Sequence, residues 1–334
     1  MSSSDRRTTD AMHDLAKFPE EMAPLIQSLE AMRQEYLSKK IKANRVALTV
    51  GVIGLCGVIA LIASRVSIFP LFIVAGFIAI IVSMVRHLML NSTRTQYLTR
   101  FKFELFTQVT KRIAPEIDYQ PHTSRSKEDL KATGLISSRI DRFSGQDYFS
   151  GKFGETQMGF SEVHAERRET TTDSKGRSRT RWVTVFRGIF FSADFHKHFQ
   201  GEVLIEPDFA ESTFGWLGRK VQGLSGDLVR LENPVFEQAY KVRATDQVEA
   251  RYLLTPTMQE RLLELQNTWG SKTMISLKAG WIHILIPSPG DWFECDPEIA
   301  AADLRQMQTF ADQLLRLLDV IDTLDLNTRL WTKS

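Results

Sequence analysis

Two apolar runs, Val46 to Ser64 and Val66 to Val85, separated only by Arg65, constrain this chain more than any other feature. Each is close to the roughly 20 residues that an α-helix needs to cross about 30 Å of hydrocarbon, and neither contains an acid, Lys or Arg. The pair predicts a transmembrane helical hairpin. Lys39, Lys40, Lys42 and Arg45 precede the first run, and Arg86, Arg94, Arg100 and Lys102 follow the second against a single Glu104. The positive-inside rule therefore places both ends in the cytoplasm, with a tight turn near Arg65 to Pro70 on the far side. The first run begins too deep in the chain for a cleaved signal peptide, and another apolar run follows it at once.

The flanks are amphipathic. Met1 to Asp10 is polar, whereas Met22, Leu25, Ile26, Leu29, Met32, Tyr36 and Leu37 recur at helical spacing, and no Gly or Pro interrupts the path from Pro24 to Gly51. A second stripe, Leu98, Phe101, Leu105, Phe106, Val109 and Ile113, leaves the membrane and stops at Ala114-Pro115. The organisation predicted is a tail and stalk helix over 1–45, the hairpin over 46–85, a second stalk helix over 86–115 and a cytoplasmic domain over 116–334. Gly51, Gly54, Gly57 and Ala60 recur every third residue, as small residues do where membrane helices approach closely. The runs hold no acid or His that would handle a transported ion. Cys56 and Cys295 are the only two cysteines, which excludes a disulfide framework, and a net charge of +2 gives no general drive toward nucleic acid.

Beyond about Pro121 the pattern changes to strands and turns. Asp147 to Phe153, Thr156 to Arg167, Arg181 to Phe195 and Gly201 to Glu206 are rich in aromatic and β-branched residues, as in an antiparallel sheet. Between two of them, Glu169 to Thr180 reads as a solvated loop, with Arg167, Arg168, Lys175, Arg177, Arg179 and Arg181 in or beside it. Such a basic insert would suit lipid headgroups better than RNA, because no aromatic residue is interleaved with the cations. Thr257 with Glu260 fits a capping box, Met274 to Leu277 and Trp281 to Ile286 fit a hairpin around Lys278-Ala279-Gly280, and Pro297 is expected to open a long helix. In that helix Met307, Phe310, Leu314, Leu317, Leu318, Ile321 and Leu324 form a stripe broad enough to cover the sheet. The fold class expected is α+β.

The two-span start, Phe160-Ser161-Glu162, the run FRGIFFSADF at Phe186 to Phe195, and LENPVFEQAYKVRATDQVEARYLLTP at Leu231 to Pro256 resemble the bacterial membrane proteins grouped as domain of unknown function 3137. The likeness runs roughly from Arg45 to Trp331-Thr332-Lys333. It implies a bacterial inner membrane and the architecture above, and it brings no activity with it.

The strongest chemical pattern is Glu162-x-His164-x-Glu166, which would set two carboxylates and an imidazole on one face of a strand, within reach of a metal. A half-exposed strand carries the same alternation with no metal at all. His196-x-His198 repeats the spacing, and Asp246, Glu249 and Arg251 suggest an ion pair that pins a loop. HExxH, paired CxxC, GxSxG, Walker A and GxGxxG are all absent, and no cofactor or metal is expected. The expected function is a membrane-anchored interaction or scaffold module. Its partners would be the lipid bilayer and another protein or further copies of itself, without nucleic acid. The alternatives are a membrane-bound metal-dependent hydrolase and a small-ligand sensor.

Overall fold

The computed structural model describes residues 9, 13, 15–63, 68–172, 175–208 and 226–328. The polar tail save Thr9, Arg65 of the expected turn, the insert's residues 173–174 and Trp331-Thr332-Lys333 lie outside them. The chain forms two compact units, one built from Thr107–Glu294 with the stretch from Thr309 onward, the other from Met12–Phe106 with Cys295–Gln308.

In the second unit, helix α1 (Ala23–Ala63) runs unbroken from the N-terminal amphipathic stripe through the first apolar run, as the absence of Gly and Pro before Gly51 allows. Helix α2 (Ile68–Arg100) returns beside it and continues into a π-helical turn, Phe101–Phe106. The two are antiparallel: Lys39 of α1 donates to the Thr93 hydroxyl of α2 at 3.0 Å, and a Cβ on Gly54 would lie 2.7 Å from the Ile78 side chain. Gly54 thus admits the facing helix, while Gly51 and Gly57 meet nothing within 4 Å. Near its start α1 is tied to the Cys295–Gln308 segment. The Glu30 carboxylate accepts from Arg33 at 2.7 Å and from the Ala301 amide at 3.0 Å, and the Arg33 hydrogen bond holds its pKa down at about 2. Further along, large apolar side chains of both helices face outward. Leu48 is 69% exposed, Phe77 66% and Leu88 66%. One helical stretch among the described residues, Ala75–Ile113, is long and apolar enough to cross a membrane.

The other unit is α+β. Nine strands among the described residues form one open antiparallel sheet in the order β1-β2-β3-β4-β9-β8-β5-β7-β6. They are β1 (Ile117–Gln120), β2 (Arg142–Phe153), β3 (Thr156–Thr172), β4 (Ser178–Asp194), β5 (Val203–Pro207), β6 (Asp227–Val229), β7 (Tyr240–Ala244), β8 (Met274–Lys278) and β9 (Trp281–Pro287). The helices are α3 (Thr107–Ile113), α4 (Lys127–Ala132), α5 (Pro234–Ala239), α6 (Gln247–Leu253), α7 (Pro256–Trp269) and α8 (Leu304–Thr323).

Alternation along the strands sends apolar residues to both faces, and both are covered. On one, Val163, Ala165, Phe186, Phe190 and Leu285 pack with Leu130 of α4 and the following Leu135, Ile136 and Ile140. On the other, Phe149, Phe160 and Phe191 lie in one cross-strand row, under Phe293 and the α8 residue Phe310. The terminal helix therefore covers the sheet, as its stripe predicts. It begins at Leu304, not at Pro297, because residues up to Asp303 are used in turns.

Three local expectations change. Glu169 to Thr180 is no loop: the β3–β4 ladder continues through Thr170↔Thr180 to Thr172↔Ser178, and threonine pairs suit a ladder in solvent. The cap of α7 is Thr255, whose hydroxyl accepts from the Met258 amide at 3.3 Å, in place of Thr257. Asp246 caps α6, Glu249 accepts from the Gln200 and Gly201 amides, and Arg251 donates to the carbonyls of Gln247 and Arg230. That cluster pins a loop through backbone amides instead of an internal ion pair.

Candidate functional site

Three adjacent strands build a polar cleft at the edge of the aromatic row. Register places Gln146 of β2 opposite Glu162 of β3, and Ser144 opposite His164 with Arg187 of β4 on its other side. All point to the face that carries Phe160, because side chains two apart on a strand share a face. The bulge between Gln146 and Phe149, where Asp147 takes a positive φ of 56°, separates this polar part of β2 from its aromatic part. Asp147 is itself buried and accepts from the Tyr119 hydroxyl at 2.5 Å.

The loop after β9 closes the cleft. Its Trp292 amide donates to Glu162 at 3.2 Å, and the Trp292 indole donates to Ser288 at 3.0 Å. Asp291 in the same loop accepts from Arg187 at 2.6 Å. The Phe293 amide, at a residue with φ of 55°, donates to Gln313 of α8 at 2.9 Å and so anchors the loop to the covering helix. Between these parts lies a cavity of about 290 Å³, lined by Ser144, Gln146, Glu162, His164, Arg187 and Asp291.

Glu162 is the most confined group there, 4% exposed. Burial is the main cause that lifts its pKa to about 7, and the nearby charges of Asp291 and Asp147 push the same way, against hydrogen bonds from Gln146 and the Trp292 amide. A carboxylate so placed exchanges its proton near neutrality, which fits it to accept from a ligand's N–H or to act in acid–base chemistry.

The structure distributes the sequence-derived candidates unevenly. Glu162 and His164 line the cavity, the imidazole 3.3 Å from the Thr184 hydroxyl. Glu166 instead accepts from Arg142 at 3.0 Å, one register step further along β2. Among the described residues no group of three or more His, Cys, Asp or Glu side chains could hold a metal ion. His196 follows β4 with its imidazole Nδ1 3.2 Å from Asp194, while His198 is exposed. Of the basic residues in the hairpin, Arg167 and Arg181 both pair with Glu169, whose carboxyl the Arg181 hydrogen bond holds below its ordinary pKa. Arg168 and Arg179 are exposed, and Lys175 and Arg177 flank the turn. Of the membrane-proximal cations, Lys39 pairs with Glu35 at 2.8 Å, Lys40 with Glu298, and Lys42, Arg45 and Arg86 are exposed. Gln146, Arg187, Asp291 and the Trp292 amide have no sequence signature, because they reach Glu162 only through strand register and the loop after β9.

No curated protein and no solved structure matches this chain. A family model matches residues 184–326, from the middle of β4 past the end of α8, which takes in Arg187, Asp291 and the cover over the cleft and leaves out Glu162 and His164. Over those residues the chain is similar to the family described as Protein of unknown function (DUF3137).

Proposed function

We propose that this is a membrane-anchored module of the bacterial inner membrane, in which Val46–Ser64 and Val66–Val85 cross the bilayer with both termini in the cytoplasm. The α+β unit is its working part and binds another protein or further copies of the chain. The observation that carries this reading is the outward apolar surface of α1 and α2, where Leu48, Ile53, Leu55, Phe77, Ile80 and Leu88 are each at least 60% exposed. Leaving one such side chain in water forgoes roughly 1.5–3 kcal/mol, and a hydrocarbon surround recovers it. Lys42, Arg45 and Arg86, exposed beside that surface, suit anionic headgroups.

The cleft favours the small-ligand sensor as a second reading, since it holds a proton-exchanging carboxylate in a space of ligand size. The hydrolase reading finds no support in this geometry, with Glu166 committed to Arg142. A native mass spectrum of the full chain in lipid nanodiscs tests the interaction reading. A defined oligomer supports it. A monomer with a stoichiometric small molecule contradicts it in favour of the sensor, and a bare monomer contradicts both.

A further inference from the structure

A second cleft, of about 280 Å³, lies on the sheet unit between the loop after β4, the start of α7 and the turn after α8. The loop is tightly specified. Phe195 donates its amide to the Gly280 carbonyl at 2.9 Å, and Asp194 accepts from the amide of His196, which sits at a φ of 51°. This backbone presents Lys197 to the cleft with its ammonium 5.1 Å from the Tyr252 ring centroid and 5.8 Å from that of Phe195.

Lys197 is half-buried, and among the described residues no carboxylate pairs with it. Burial lowers its pKa, with no acid opposing the shift. A desolvated ammonium held only by ring faces is an unfinished ion pair. Across the cleft, α7 offers Thr257 and Arg261, one turn apart on one face, and the Thr257 amide, which has no intrahelical acceptor; Pro256 has no N–H, and the Met258 and Gln259 amides donate to Thr255. Arg261 donates to Asp325 at 2.7 Å through Nη2 and to the Leu324 carbonyl at 3.5 Å through Nη1, which leaves part of its five-donor fork free for a further acceptor. The remaining wall is mixed: Phe195, Met258, Leu324 and Leu326 give it an apolar patch, beside His196, Thr255, Thr328 and the Asp325 carboxylate that Arg261 already neutralises.

Donors that converge from two sides call for an anion with several oxygens. The space also exceeds what an inorganic anion of about two water volumes would fill, and the apolar patch of Phe195, Met258, Leu324 and Leu326 suits a small attached hydrocarbon group. We propose that this cleft binds a phosphate monoester with a small apolar substituent, its phosphate held by Lys197 and the start of α7. Two sources share that chemistry, a soluble phosphate ester and the headgroup of a lipid phosphate. The inference is independent of the membrane reading and of the Glu162 cleft.

The test titrates phenyl phosphate calorimetrically into the full chain in phosphatidylcholine nanodiscs, and compares nanodiscs with and without phosphatidic acid for protection of the Lys197 amine from acylation. Lys197→Met should weaken phenyl phosphate at least roughly tenfold, the size of one lost charge-assisted hydrogen bond, while Lys197→Arg retains most of the affinity. An unchanged melting temperature in Lys197→Met separates this effect from misfolding. Protection by phosphatidic acid without phenyl phosphate binding assigns the lipid source, and the reverse assigns the soluble one. The proposal is overturned if neither phosphate binds more tightly than about 10 mM, or if binding is the same in Lys197→Met as in the unaltered chain.

Discussion

Glu162 is buried among groups that oppose its ionisation, and this has a cost that varies with pH. Its pKa is about 7 in the fold against an ordinary 4.5. Between those values the folded state keeps a proton that the unfolded state has released, so stability falls as pH rises through that window and levels off above it. The full shift corresponds to about 3 kcal/mol, and water in the cleft reduces this to about 2 kcal/mol. Glu162→Gln removes the charge and leaves the shape. The variant should be more stable than the unaltered chain by about 1–2 kcal/mol near pH 8 and nearly equal to it near pH 4, below the ordinary carboxyl pKa. Urea unfolding of both proteins at the two pH values checks it, and an equal gap at both would show that the carboxylate is not the source. Glu162 and His164 were legible in the sequence because strand alternation is written in neighbouring residues. Asp291 and Arg187 were not, since a contact 104 residues apart depends on the pairing of β4 with β9.

At the scale of elements, the β4–β9 junction positions one wall of the cleft. Gly188 pairs with Pro287 and has a φ of 146°, and a Cβ there would fall 2.1 Å from the Ile286 carbonyl oxygen. Only glycine fits so close to a neighbouring backbone. Gly188→Ala forces β4 and β9 apart beside the Arg187–Asp291 pair, and the expected loss is about 3 kcal/mol, or a melting temperature lower by roughly 5–10 °C. A melting scan that places the variant within about 1 °C of the unaltered chain contradicts this account of the junction. Elements with a clear local period were legible, including the unbroken α1, the β8–β9 hairpin and the stripe of α8. The length of the β3–β4 hairpin was hidden. Its outer end, from Thr170↔Thr180 to Thr172↔Ser178, is polar on both faces, and a ladder standing in solvent has no hydrophobic alternation to reveal it. The start of α8 was hidden too, because proline marks a first helical turn and ordinary turns equally well.

At the scale of the whole molecule, the proposed anchoring puts α1 and α2 in lipid. The chain carries its own probe. Cys56 is exposed within the first apolar run, whereas Cys295 is buried, so a thiol reagent should reach Cys56 selectively. A nitroxide on Cys56 of the full chain, reconstituted in nanodiscs, reports its surroundings through collisions with oxygen, which concentrates in hydrocarbon, and with a water-soluble nickel chelate, which does not enter it. Anchoring by both apolar runs predicts frequent oxygen collisions and almost none with nickel, as for a site near the middle of a span. Nickel collisions as frequent as those at an exposed hairpin position such as Arg179→Cys would place the first run in water and rule out anchoring through it.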